Sequence, residues 1–145
     1  MLPSTQILMR LIGSLVLLLL TACTSKSSGD DVSKELQSVK SWAATAHMVG
    51  DAWKRKAVPT AYAKQTLTKT QEELKKEVDS LSKSSIDEQK RASILKSLFS
   101  IQTILTQMST SIEHNNYQEL TQEIQQLSAQ EQNITKLVQS VGRQS

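Results

Sequence analysis

Between positions 31 and 142 the apolar residues return every three or four places, and this rhythm divides the chain into four segments. In the first, about Asp31 to Trp53, the residues Val32, Leu36, Val39, Ala43, Ala46, Gly50 and Trp53 alternate steps of four and three. At about 100° per residue such positions stack on one side of an α-helix, with Trp42 and Val49 on its flank. The second segment, about Pro59 to Ser82, aligns Ala63, Leu67, Thr70, Leu74, Val78 and Leu81. Its other sides carry Lys64, Lys69, Glu72, Glu73, Lys75, Lys76 and Glu77, a solvated surface on which the carboxylates keep ordinary acidity. The third, about Ile86 to Ile112, aligns Ile94, Leu98, Ile101, Leu105, Met108 and Ile112, and Leu95, Phe99 and Ile104 broaden that stripe. The fourth runs through Tyr117, Leu120, Ile124, Leu127, Glu131, Ile134, Val138 and Val141.

The breaks between segments carry helix punctuation. Pro59 suits a first helical turn, where its missing N–H would have no partner anyway. Ser85-Ile86-Asp87-Glu88 matches a capping box, and Asn116-Tyr117-Gln118-Glu119 repeats the logic with asparagine as the cap. Gly142 suits the position just past the end of the fourth helix. Four long amphipathic helices joined by short connections predict an all-α fold, an antiparallel up-down-up-down four-helix bundle over 31–142. The 3.5-residue period adds left-handed packing at about +20°.

Composition narrows the chemistry. Four glycines, two prolines and five aromatics in 145 residues are too few for a strand-rich fold, and one cysteine builds neither a disulfide framework nor a cysteine-ligated metal site. A nucleophile elbow, a phosphate-cradling glycine loop and a metal motif are missing, which argues against an enzyme. His47 and His114 are the only imidazoles, without Cys-x-x-Cys-His or Glu-x-x-His, so no haem, metal or other cofactor is expected. The net charge of +3 is spread along the chain, which gives no nucleic-acid signature.

Met1 to Ala22 has one basic residue, Arg10, and then an apolar run from Leu11 to Leu20. That run is too short to span a bilayer and predicts a cleaved export signal over 1–22. It ends in Leu20-Thr21-Ala22-Cys23, which resembles the lipobox of bacterial lipoproteins. The resemblance implies that Cys23 carries a diacylglyceryl thioether, becomes the mature N-terminus and is acylated on its amine, anchoring the chain to a membrane. Two or more acyl chains make such an anchor durable. Thr24 and Ser25 stand where that pattern places aspartate for inner-membrane retention. The implied address is the outer membrane, facing the periplasm, or the outer face of the plasma membrane in a single-membrane organism. Residues 23–30 would be a lipidated, flexible tether, rich in serine and glycine.

If the first helix leaves a membrane-proximal tether, the first and third connections share the far pole. That pole collects Trp53, Lys54, Arg55, Lys56, Tyr62, His114 and Tyr117, the types that serve as protein-binding anchors. The same aromatics could instead plug an open bundle end, with the basic turn answering a helix dipole. Trp42 and Trp53 beside Ala46 suggest either core packing or an apolar pocket. The broad flank of the third helix, Ala92, Leu95 and Phe99, would serve a homo-oligomer or partner contact if left uncovered. Glu131 is expected level with Lys40, as a partly buried pair that fixes register. Leu67-Thr68-Lys69-Thr70-Gln71 resembles the Leu-Thr-x-x-Gln pattern of periplasmic stress chaperones of the Spy type, although here it falls inside a helix. The sequence thus points to a non-enzymatic envelope lipoprotein that acts as an interaction or accessory module with a protein partner. The alternative is a periplasmic bundle that binds small ligands or acts as a chaperone.

Overall fold

The computed structural model describes residues 29–142; the expected signal peptide, Cys23 and the tether up to residue 28 lie outside the described residues. Four helices make up the fold: α1 (Gly29–Lys54), α2 (Thr60–Ser82), α3 (Glu88–Glu113) and α4 (Tyr117–Gly142). No strand occurs among the described residues. Helices of 26 residues are about 39 Å long at 1.5 Å per residue.

The helix starts partly depart from the sequence reading. Pro59 stands one place before α2 rather than in its first turn, and its carbonyl accepts the Ala63 N–H at 3.1 Å. The Ser85–Glu88 capping box does not form. Asp87 caps α3 instead, its carboxylate accepting the Lys90 N–H at 3.1 Å. With the cap at Asp87, Ile86 stays outside the helix and packs against the core. Asn116 caps α4 as its sequence predicts, with Oδ1 accepting the Glu119 N–H at 3.2 Å.

The helix ends also depart from expectation. Gly142 is still helical, and no described glycine has positive φ. The left-handed positions are Lys56 at φ 57° and Asn115 at φ 53°. After α1, the Lys56 N–H bonds the Trp53 carbonyl and the Ala57 N–H bonds the Ala52 carbonyl, both at 2.8 Å. After α3, Asn115 bonds Ile112 and Asn116 bonds Ser111 in the same two-bond arrangement. Both are Schellman ends, which satisfy carbonyls that the helix leaves free.

The four helices pack compactly, in the manner of a helical bundle. α1 packs on α2 and α4, α3 packs on the same two helices, and α1 also approaches α3 across the centre. α2 and α4 do not meet among the described residues. The predicted stripes form the core: Leu36, Leu67, Leu74, Leu98, Ile101, Leu105, Leu120 and Leu127 are fully buried. Val49 joins them, whereas Val78 and Trp42 are only partly covered. On the α1–α2 seam the Ser38 hydroxyl donates to Glu77 at 2.6 Å, and that of Ser80 donates to Glu35. Glu77 is therefore half-buried and bonded, not part of a purely solvated face.

Small residues set the spacing at the centre. A Cβ on Gly50 would stand 2.8 Å from the Met108 terminal methyl and 3.1 Å from Ile124 Cδ1. The methionine can swing aside, but the isoleucine is fixed in the core of α4. Replacing Gly50 with valine should therefore overpack the centre and cost about 1–3 kcal/mol, even though it removes a helix-destabilising glycine. Urea unfolding of Gly50→Val checks this, and an unchanged midpoint would mean that α1 and α3 are not held as close as described.

Candidate functional site

The pole at the ends of α1 and α3 assembles from both Schellman turns. Trp53 lies in the last turn of α1, and its buried indole stacks on the ring of Tyr117 with centroids 4.8 Å apart and an interplanar angle of 18°. Its Nε1–H donates to Thr60 Oγ1 at 3.0 Å, which ties the pair to the start of α2. Stacking leaves Tyr117 partly in solvent instead of inside the stripe that its spacing suggested. Beside the rings opens a cleft of about 470 Å³, bounded by Trp53, Lys56, Pro59, Thr60, Asn115 and Tyr117.

Of the seven expected anchors, Trp53, Lys56 and Tyr117 share this cleft. Lys54, Arg55, Tyr62 and His114 do not line it; Arg55, Tyr62 and His114 are exposed around it and Lys54 is half-buried. No carboxylate among the described residues pairs with Lys54, Arg55 or Lys56. The nearby Glu113 is already engaged by Lys64 at 3.0 Å, and this partner holds its carboxyl below the ordinary range. The pole therefore presents an aromatic floor and a basic rim without an internal counter-charge.

Other expected contacts fall differently. Glu131 meets His47, not Lys40: His47 Nδ1 lies 3.3 Å from Glu131 Oε1, while Nε2 faces Asp51 at 3.5 Å. The two ring nitrogens thus face different carboxylates. Lys40 borders a separate groove of about 500 Å³ between α1 and α4, with Ala44 and Val138. Glu73 accepts from both Lys69 and Lys76, and those bonds lower its pKa from the ordinary value expected of a solvated face. On α3, Ile104 is buried, Leu95 is half-covered, and Phe99 remains 53% exposed beside exposed Ala92. In the Leu-Thr-x-x-Gln stretch, Leu67 and Thr70 are buried, Thr68 is exposed, and the Gln71 side chain donates to Thr106 at 3.1 Å.

The sequence reading missed Glu123. This carboxylate is only 9% exposed, accepts the Ser111 hydroxyl at 2.9 Å through Oε1, and has no hydrogen-bond partner at Oε2. Burial pushes its pKa up, the Ser111 bond pulls it down, and the charge of Glu119 pushes it up further. It borders a polar groove of about 410 Å³ between α3 and α4. A signal was present: Glu123 is three places after Leu120 and four before Leu127, a spacing that suits the apolar stripe.

No described helix is long and apolar enough to cross a membrane. No protein-family model matches the chain, and neither curated proteins nor solved structures yield a match.

A carboxyl with a raised folded-state pKa holds its proton more tightly in the folded chain than in the unfolded one. Its ionisation therefore removes stability as pH rises from the ordinary glutamate range through the raised value. Glu123→Gln should raise stability at pH about 8, on the order of 1 kcal/mol, and the gain should fade as pH falls below about 4. Thermal unfolding of both proteins across that range measures the difference.

Proposed function

We propose that this chain is a bacterial envelope lipoprotein anchored through lipid on Cys23. Its antiparallel up-down-up-down bundle acts as a non-enzymatic interaction module for an envelope protein. Its address rests on the lipobox resemblance of Leu20-Thr21-Ala22-Cys23. The antiparallel arrangement is supported by cross-helix partners whose numbers fall on one helix as they rise on the other. Glu35 meets Ser80 and Ser38 meets Glu77; His47 meets Glu131 and Trp53 meets Tyr117; Lys64 meets Glu113 and Gln71 meets Thr106. With α1 leaving the tether, the aromatic pole stands about one helix length from the lipid. Confinement to that surface raises local concentration and makes modest contacts effective.

The observation that carries this reading is Lys56. A lysine occupies a left-handed backbone position on the rim of the Trp53–Tyr117 cleft. Glycine would hold that position at lower strain, so the lysine stabilises the fold less than the alternative would. Strain kept beside an aromatic cleft fits a binding role for the side chain. The uncovered Phe99 flank of α3 is assigned to self-association in the same membrane plane. A second reading, a small-ligand or chaperone-like bundle, draws support from the largely apolar α1–α4 groove beside Lys40 and Val138.

Labelling with a fatty-acid analogue should mark the wild-type chain and leave Cys23→Ala unlabelled and released from membranes. Replacing Lys54, Arg55 and Lys56 together with alanine should abolish cross-linking to the envelope partner without loss of helicity. Lys56→Gly alone should raise stability by about 0.5–1 kcal/mol while weakening that cross-link. Retained cross-linking in these variants, together with tryptophan fluorescence that responds to apolar ligands, would favour the second reading.

A further inference from the structure

We propose that what the aromatic pole binds is an acidic peptide segment, which lays one apolar side chain on Tyr117 and a carboxylate on Lys56. The proposal rests on the reading of that pole as the partner-binding site and adds the chemistry of the partner. Trp53 is only 4% exposed and serves as backing, whereas Tyr117, stacked on it, keeps 41% of its surface in solvent. Tyr117 is therefore the aromatic contact surface of the cleft, and Val58 and Pro59 extend its apolar lining.

Charge complementarity selects the acidic class. Lys56 lines the cleft, Lys54 and Arg55 directly precede it, and none of the three pairs with a carboxylate among the described residues. The acidic side chains nearest in sequence face other partners: Asp51 faces His47 at 3.5 Å and Glu113 meets Lys64 at 3.0 Å. No acidic side chain lines the cleft, and the first turn of α2 carries none. The polar groups in the cleft point the same way. Thr60 Oγ1 accepts the Trp53 N–H, so its own hydroxyl proton is uncommitted, and an ammonium offers three donors and no acceptor. The Asn115 amide offers both and discriminates neither way.

The two contact groups are held before any partner arrives. Stacking fixes the Tyr117 ring, and two turn bonds of 2.8 Å, from the Lys56 and Ala57 N–H groups, fix the backbone that carries the ammonium. Little ordering cost is left to offset the contacts. The cleft of about 470 Å³ takes one large apolar side chain with its flanking backbone, whereas a membrane surface presents a plane to which a recess is ill matched. Lys56, inside the cleft, meets the partner directly; Lys54 and Arg55, outside it, steer an acidic segment towards it.

The probe is the capped pentapeptide Asp-Glu-Phe-Glu-Asp, titrated at neutral pH into the full chain in non-ionic detergent micelles. Saturable amide shifts are expected at Lys56, Thr60, Asn115 and Tyr117, with binding at least about tenfold weaker for Asn-Gln-Phe-Gln-Asn and for Asp-Glu-Ser-Glu-Asp. Lys56→Gln, which keeps the left-handed strain and removes the charge, should weaken binding about fivefold or more. Asn115→Asp, a type that also tolerates left-handed backbone, should weaken it by placing a negative charge in the cleft. The proposal is overturned if the acidic peptide gives no saturable shift, if either control peptide binds equally well, or if both variants bind as wild type does. It also fails if soluble short-chain phosphatidylglycerol binds these residues more tightly than the peptide. Failure of the titration while the cellular cross-link still depends on the basic turn overturns the acidic segment alone. A cross-link that ignores the turn overturns the pole reading, and this proposal with it.

Discussion

Missing side-chain volume along α1 is the constraint on which the rest of the bundle depends. Four helices around a shared core can form a square, with equal diagonals, or a flattened figure in which two opposite helices touch. Here α1 and α3 approach across the centre while α2 and α4 remain apart. Ala43, Ala46 and Gly50 make this approach feasible by presenting little more than backbone to α3 and α4. The opposing face of α3 is correspondingly bulky, with Ile94, Leu98, Ile101, Leu105, Met108 and Ile112 all fully buried. Large against small at constant total volume is how a core reaches crystal-like density without strained rotamers.

That flattening reaches the pole. α1 and α3 end within a short distance of each other, and both end in the same two-bond turn, so each must place one residue in the left-handed region. Asn115 suits that position because a short polar side chain tolerates it, whereas Lys56 does not have that excuse. The turn after α1 also brings Thr60 to the N–H edge of the Trp53 indole, and the turn after α3 brings Tyr117 onto its face. An aromatic pair closing the end of the core excludes water from it. The same pair gives the exterior a flat apolar surface with cations at its edge.

The architecture was legible in the sequence because burial in a helix obeys a period, and nearly every residue of the four predicted stripes is buried. Helix ends were less so, since several residues compete for each cap. Ser85 and Asp87 are both good caps, and only the tertiary placement of Ile86 against the core decides for Asp87. Gly142 has the right type for a stop, yet α4 is helical through it. At the site, Trp53 and Tyr117 were legible because they flank predicted breaks. The partner of Glu131 was not, because periodicity tells which face a residue occupies but not its level against a neighbouring helix. Glu123 was only half legible: its spacing from Leu120 and Leu127 suits the stripe, but its neighbour Ile124 fills the same turn, so the pattern did not require the carboxylate to turn inward as well.

The seams between helices carry the polar groups of the bundle, and two of them bury a carboxylate oxygen that no donor reaches. Between α1 and α2, each helix supplies one serine and one glutamate, and between α2 and α3 a salt bridge and an amide–hydroxyl bond face solvent. Such exposed contacts add little stability but define register. Between α3 and α4 the Glu123 carboxylate has one oxygen answered by Ser111 and the other by nothing, and between α1 and α2 Glu35 likewise has one oxygen answered by Ser80 and a buried one without a partner. An unanswered buried oxygen raises the free energy of the folded chain by more than a surface bond lowers it. A fold with an ample apolar core can carry that deficit. The aliphatic core is therefore what allows the α1–α2 and α3–α4 seams each to keep one such oxygen.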